Sequence, residues 1–116
     1  QEIRNDLAAY LLDVKPDLVV VEKLYFATNR KTALDVAHAR GVITLCVCDS
    51  KIPMLEATPL KLKSCITGDG GADKRQMQEM LMRLLGLPSI PKPDDAADAL
   101  GLAVYGALVG NRTMAY

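Results

Sequence analysis

No excess of charge, no long apolar run and few histidine, cysteine or aromatic residues occur in these 116 residues. Fourteen lysines and arginines balance fourteen aspartates and glutamates, so the global charge announces no nucleic-acid partner. No stretch approaches the roughly 18 apolar residues of a membrane span. No signal peptide is visible, although Gln1 is not an initiator residue. Three cysteines, Cys46, Cys48 and Cys65, with a lone His38 match no zinc-site spacing. They read as reduced, buried structural thiols, which points to the cytoplasm.

What is present is a globular chain. Half the residues are hydrophobic, which excludes intrinsic disorder, and the length fits a single domain over residues 1–116. Charge is unevenly spread: residues 22–40 and 51–83 are each net positive, and residues 1–17 are net negative. Positive patches beside acids suit phosphate binding near metal ligands, and an ordinary mixed surface gives the same pattern.

Periodicity sets out an α/β layer fold. Ile3, Leu7, Tyr10, Leu11 and Val14 recur at helical spacing before Pro16. "DLVVVE" is a β-branched run expected to form a strand buried on both faces. Over residues 29–50, Leu34, His38, Gly41, Leu45 and Cys48 continue one helical stripe, with Gly41 expected to mark close packing against a neighbour. "MLEAT" reads as a short strand. In "TPLKLKSCITG", Thr58 is the expected N-cap, Pro59 the first helical residue and Gly68 the stop. "GDGGAD" is a glycine-rich, flexible loop. The next helix is capped by Asp73, turns Met77, Met80, Leu81, Leu84 and Leu85 inward and stops at Gly86. After the proline-rich connector "LPSIPKP", a last helix is expected from about Asp94 to Val109.

The carboxylates carry the chemistry. Asp94 and Asp95 suit a helix cap and first turn after Pro93, where they complement the dipole. Asp98 shares a face with both, and like charges at that spacing repel. Glu22 ends the apolar strand, where open α/β sheets place functional groups. A strand-end glutamate can also simply reach solvent. Together these acids form an oxygen-rich set suited to Mg²⁺ or Mn²⁺. Such sets run two-metal phosphodiester hydrolysis.

Three segments, "PDLVVVEKLYFATNRKTALDVAHARGV", "TPLKLKSCITGDGGADKRQMQEML" and "DDAADALGLA", resemble in order the RuvC family of Holliday junction resolvases. The likeness covers essentially residues 1 to 112. It implies an RNase H-like α/β fold, a mixed central sheet flanked by helices. It also implies a metal-dependent homodimeric endonuclease making paired symmetric cuts in four-way DNA junctions, in recombination and repair. The resemblance places Glu22 on the catalytic glutamate, and Asp95 and Asp98 on the two helix-borne metal ligands. Lys63 and Lys74 fall on lysines linked to DNA contact or catalysis, although spacing alone would read each as a solvated helix face. Tyr25 matches a junction-probing aromatic, usually Phe, with Phe26 beside it; one or both could instead fill the core. Asn29 and Arg30 fall in the same DNA-facing stretch. RuvA-like junction-binding and RuvB-like branch-migration proteins are the implied partners.

The family's opening strand, bearing "G-I-D-P-G" with the remaining aspartate ligand, has no counterpart in these residues. About three strands of the expected sheet and one of four carboxylates are therefore absent from them. Two other readings stay open: another RNase H-like or transposase-type nuclease with the same acids, or a non-catalytic junction-binding module.

Overall fold

The computed structural model describes residues 2–23 and 30–110. In chain order they form α1 (Glu2–Val14), β1 (Val19–Glu22), α2 (Arg30–Asp49), β2 (Met54–Ala57), α3 (Pro59–Thr67), α4 (Lys74–Leu85) and α5 (Asp94–Tyr105). A five-residue π-helix, Gly106–Gly110, follows α5. Contacts divide the chain into two compact units, Gln1–Val19 with Leu24–Leu55, and Val20–Lys23 with Glu56–Tyr116.

Among the described residues the sheet has two strands, β1 beside β2. In the first unit the Val19 N–H donates to the Pro53 carbonyl at 3.0 Å. In the second, the Lys23 N–H donates to the Ala57 carbonyl at 2.7 Å. Partner numbers rise together, as in a parallel pair. All four β1 residues are half-buried, not sealed on both faces as the unbroken apolar run suggests. A strand with one described neighbour leaves part of its surface uncovered.

In the first unit, α1 packs on α2. Leu11, Cys46 and Val47 are buried, with Leu7, Ala8, Val19, Ile43, Ile52 and Met54 around them. The α1 helix ends where Lys15 takes a positive φ of 50° and its N–H closes on the Leu11 carbonyl at 2.9 Å, just before Pro16. The long helix expected over residues 29–50 is present as α2, but its working face is different. Cys46, Val47 and Ile43 turn inward, whereas His38, Gly41 and Cys48 are exposed, Leu34 by 72% and Leu45 by 51%. A Cβ on Gly41 would meet nothing within 4 Å among the described residues, so this glycine marks no close packing against any of them. All three cysteines are thiols, as expected, but only Cys46 is buried; Cys65 is half-buried and Cys48 exposed.

In the second unit, α3, α4 and α5 pack against one another. Leu62 and Ile66 of α3, Leu81 of α4, and Ala97, Gly101 and Tyr105 of α5 are buried between them. Local signals position α3 and α4. The Thr58 side chain accepts from the Lys61 N–H at 3.2 Å, Pro59 follows, and Gly68 closes α3 at a φ of 79°. Asp73 and Gln76 form a reciprocal capping box, both hydrogen bonds at 2.8 Å, and Gly86 ends α4 at a φ of 64°. Between the helices the Asp69 carboxylate accepts from the Gly71 N–H at 2.8 Å, so the glycine-rich loop has a polar fastening of its own. On α4 the buried residue is Leu81; Met77 and Met80 are half-buried, while Leu84 and Leu85 remain exposed. The inward face therefore ends at Leu81.

α5 departs from expectation at both ends. Its N-cap is Pro93, whose backbone carbonyl accepts from Ala96 and Ala97; Asp94 is the first helical residue and caps nothing. At the other end the α-helix stops at Tyr105, where the glycine-bounded π-helix takes over. No helix among the described residues is long and apolar enough to cross a membrane.

Candidate active site

The second unit holds a cavity of about 280 Å³ lined by Glu22, Lys63, Lys74, Gln78 and Asp98 among its polar residues. Leu62, Met77, Leu81, Ala97 and Gly101 supply apolar wall. Each polar group arrives by a short route. Glu22 ends β1, so the strand carries its carboxylate to one rim. Lys63 follows the buried Leu62 on α3. Lys74 opens α4, and Gln78 stands four residues on, on the same helix face. Asp98 follows the buried Ala97 on α5.

Electrostatics in the cavity is strained on the acidic side. Burial pushes the Glu22 carboxyl above the usual carboxylate range, the Asp98 charge pushes it further, and Lys63 pulls it back. A second ion network lies at the Lys74 side. The Lys74 ammonium donates to one Asp94 carboxylate oxygen at 3.1 Å, and the Gln78 amide donates to the other at 3.1 Å. The Lys74 hydrogen bond, then that from Gln78, hold the Asp94 carboxyl below its ordinary range. The bond to Asp94 and its charge raise Lys74, and Asp98 and Asp95 add smaller contributions in the same direction.

Four of the residues singled out in the sequence thus line one cavity: Glu22, Asp98, Lys63 and Lys74. Asp95 does not line it. It is exposed and stands one turn nearer the start of α5 than Asp98. Among the described residues no group of three or more histidine, cysteine, aspartate or glutamate side chains is placed to hold a metal ion. Two carboxylates in one cavity still fit a hard divalent cation, since Mg²⁺ is commonly held by one or two carboxylates plus water and phosphate oxygens. Tyr25, Phe26 and Asn29 lie outside the described residues, and Arg30 opens α2 in the first unit. Gln78 and Asp94 are site partners that sequence spacing did not assign. The i, i+4 pairing of Lys74 with Gln78 was the one available signal.

A family model described as RuvC, crossover junction endodeoxyribonuclease RuvC, matches residues 1–106. A crossover junction endodeoxyribonuclease RuvC of Chloroflexus aurantiacus is 50% identical over 106 residues, 91% of this chain and 65% of that protein. One from Syntrophomonas wolfei is 45% identical over 103 residues, 89% of this chain and 60% of its own length. The chain therefore spans somewhat less than two thirds of these curated relatives. Among solved structures, T. thermophilus RuvC in complex with Holliday junction substrate superposes with a TM-score of 0.86 at 27% identity. That likeness covers 97% of this chain and 68% of the other. A second Thermus thermophilus RuvC structure gives 0.80 at 28% identity, over 94% of this chain and 68% of that one.

Proposed function

The chain belongs to the RuvC family and shares its RNase H-like α/β fold, and on that premise we propose that it acts as a metal-dependent endonuclease on four-way DNA junctions. The reaction is paired, symmetric hydrolysis of phosphodiester bonds, in recombination and DNA repair. The observation that carries this reading is the single cavity that gathers two carboxylates and two ammonium groups around an apolar wall.

A phosphodiester is anionic, and Glu22 and Asp98 alone would repel it. The upward push on the Glu22 carboxyl by burial and by Asp98 describes a place where a cation is wanted. Glu22 and Asp98 would hold Mg²⁺ or Mn²⁺, with Asp95 joining from the adjacent turn, and the bound ion would supply Lewis acidity and an activated water. Lys63 and Lys74 hold the scissile phosphate and oppose charge developing on its oxygens. Leu62, Met77 and Leu81 keep that wall of the cavity dry, which strengthens each of these interactions. Tyr25 and Phe26 stack on junction bases, and Asn29 and Arg30 contact the strand beside them. The resemblance supports these DNA contacts, as does the junction substrate held by the similar Thermus protein.

The working form is a homodimer, because two symmetric cuts need two sites about a two-fold axis. Supporting this, the exposed α2 residues Leu34, His38, Gly41, Leu45 and Cys48 recur at alternating steps of four and three, the spacing of a helix–helix seam. A second copy of the chain is the occupant we assign to it. RuvA-like and RuvB-like proteins are the family partners, and the compartment is the cytoplasm. We also read the two compact units as parts of one nuclease domain, a reading supported by a family match that runs unbroken through both.

The test compares a four-way junction with a linear duplex of matched sequence, with Mg²⁺ and with chelator. Paired nicks in the junction alone, abolished by chelation, are expected. Asp98→Asn and Glu22→Gln should each lower cleavage by about 10²-fold or more while retaining junction binding. Equal cutting of the duplex would assign the chain to another RNase H-like activity. Unaltered cleavage in both variants would sink the catalytic reading.

A further inference from the structure

Asp94 has no place in the chemistry described above, and the structure removes the role of helix cap that its position after Pro93 suggests. Each of its carboxylate oxygens nevertheless accepts a hydrogen bond, one from the Lys74 ammonium and the other from the Gln78 amide, both at 3.1 Å. Both donors line the cavity that holds Glu22 and Asp98, whereas Asp94 itself does not. We propose that Asp94 is a positioning residue: it fixes the Lys74 ammonium at the cavity rim, with Gln78 bracing the carboxylate from the adjacent turn of α4. The proposal rests on the catalytic reading of this cavity and adds a residue to it.

Stability does not account for the pair. The two side chains are 57% and 63% exposed, and exposed ion pairs contribute little to folding. Lys74 is moreover badly placed for its own helix. It is the first residue of α4, where the positive end of the dipole disfavours a cation. A lysine there gains nothing locally, and a long side chain left to itself would sample many rotamers in water. The structure restrains it from both ends. The Asp73–Gln76 capping box sets the backbone from which Lys74 departs, and Asp94 holds the far nitrogen. Asp94 is suited to this because it opens α5, where the dipole favours an anion, and because Gln78 occupies its second oxygen and limits its rotation. The cost falls on DNA affinity, since an aspartate beside the phosphate-binding lysine cancels a charge that would otherwise attract the backbone.

A double-mutant cycle tests this, using single-turnover cleavage of a four-way junction at saturating protein together with equilibrium junction binding. Asp94→Ala should slow cleavage by about tenfold, the scale of a small displacement of a catalytic group, with binding unchanged or tighter. Asp94→Glu should recover most of the rate. Lys74→Ala should slow cleavage, and adding Asp94→Ala to it should slow it no further. The proposal is overturned if Asp94→Ala cleaves at the parent rate while Lys74→Ala is impaired. It is also overturned if Asp94→Ala costs as much without Lys74 as with it, since that signature belongs to a purely structural aspartate. If Lys74→Ala and Asp98→Asn both cleave at the parent rate, the catalytic reading of the cavity falls first and this proposal with it.

Discussion

Two of the second unit's three helices, α3 and α4, begin on side-chain caps and end on left-handed glycines, whereas α1 and α2 of the first unit run out into left-handed lysines, Lys15 and Lys51. A glycine takes that conformation freely; a lysine gives up about 1 kcal/mol to do so. Burial follows the same division. The second unit closes Leu62, Ile66, Leu81, Ala97 and Tyr105 between three helices. The first has Leu11, Cys46 and Val47 at its centre; both units leave leucines in solvent, Leu34 and Leu45 in the first and Leu60 and Leu84 in the second. The unit with two helices closed at both ends also carries the cavity, although α5, which brings Asp98 to it, has neither a side-chain cap nor a left-handed glycine. Chemistry of this kind needs side chains held to fractions of an ångström, and a frame fastened by caps and a shared core supplies that.

The largest effect should come from the second unit's core. Leu81 is 1% exposed and borders the cavity, so Leu81→Ala should lower unfolding free energy by about 2–5 kcal/mol in urea titration. A loss well under 1 kcal/mol would mean that the three-helix core is not what holds this unit. Next comes the first unit's exposed seam. Leu45→Glu removes nothing from the folded interior, so folding stability should change by no more than about 0.5 kcal/mol. Association should nevertheless be lost, with a monomer seen by sedimentation. A variant that remains dimeric would show that α2 is not the contact, and the contrast between the units would need another explanation.

Legibility from sequence follows the same line. Thr58, Pro59 and Gly68 mark α3, and Asp73, Gln76 and Gly86 mark α4, because capping depends on residues within three or four positions of each other. The stripe on α2 was equally visible, but periodicity alone gives two candidate faces and no sign of which one turns inward. Here the inward face is Ile43, Cys46 and Val47, chosen by α1 rather than by α2 itself. The site divides similarly. Glu22, Lys63, Lys74 and Asp98, which line the cavity, were singled out by residue type and family likeness. The Asp94 carboxylate was assigned to the nearest helix end, because its actual partners are 16 and 20 residues away in sequence. Local capping and long-range pairing use the same carboxylate, and only the packing of α5 beside α4 decides between them.

Gly101 offers the finest distinction between frame and site. It is buried in α5, and an added Cβ would lie 3.7 Å from the terminal methyls of Ile66 and Leu81 and 3.9 Å from that of Met77. Those are ordinary contact distances, so the core can accept a methyl there. Replacing a helix-interior glycine with alanine also reduces the entropy lost on folding, by roughly 0.5–1 kcal/mol. Gly101→Ala is therefore expected to raise the unfolding free energy by about that amount in urea titration. The same residue borders the cavity, which gives the variant a second readout. A stabilised protein that cleaves junctions normally would place Gly101 with the frame. Stabilisation accompanied by slower cleavage would mean that the glycine is there to keep the cavity open, a stability gain forgone for function. Destabilisation would mean that α5 sits closer to α3 and α4 than these distances allow.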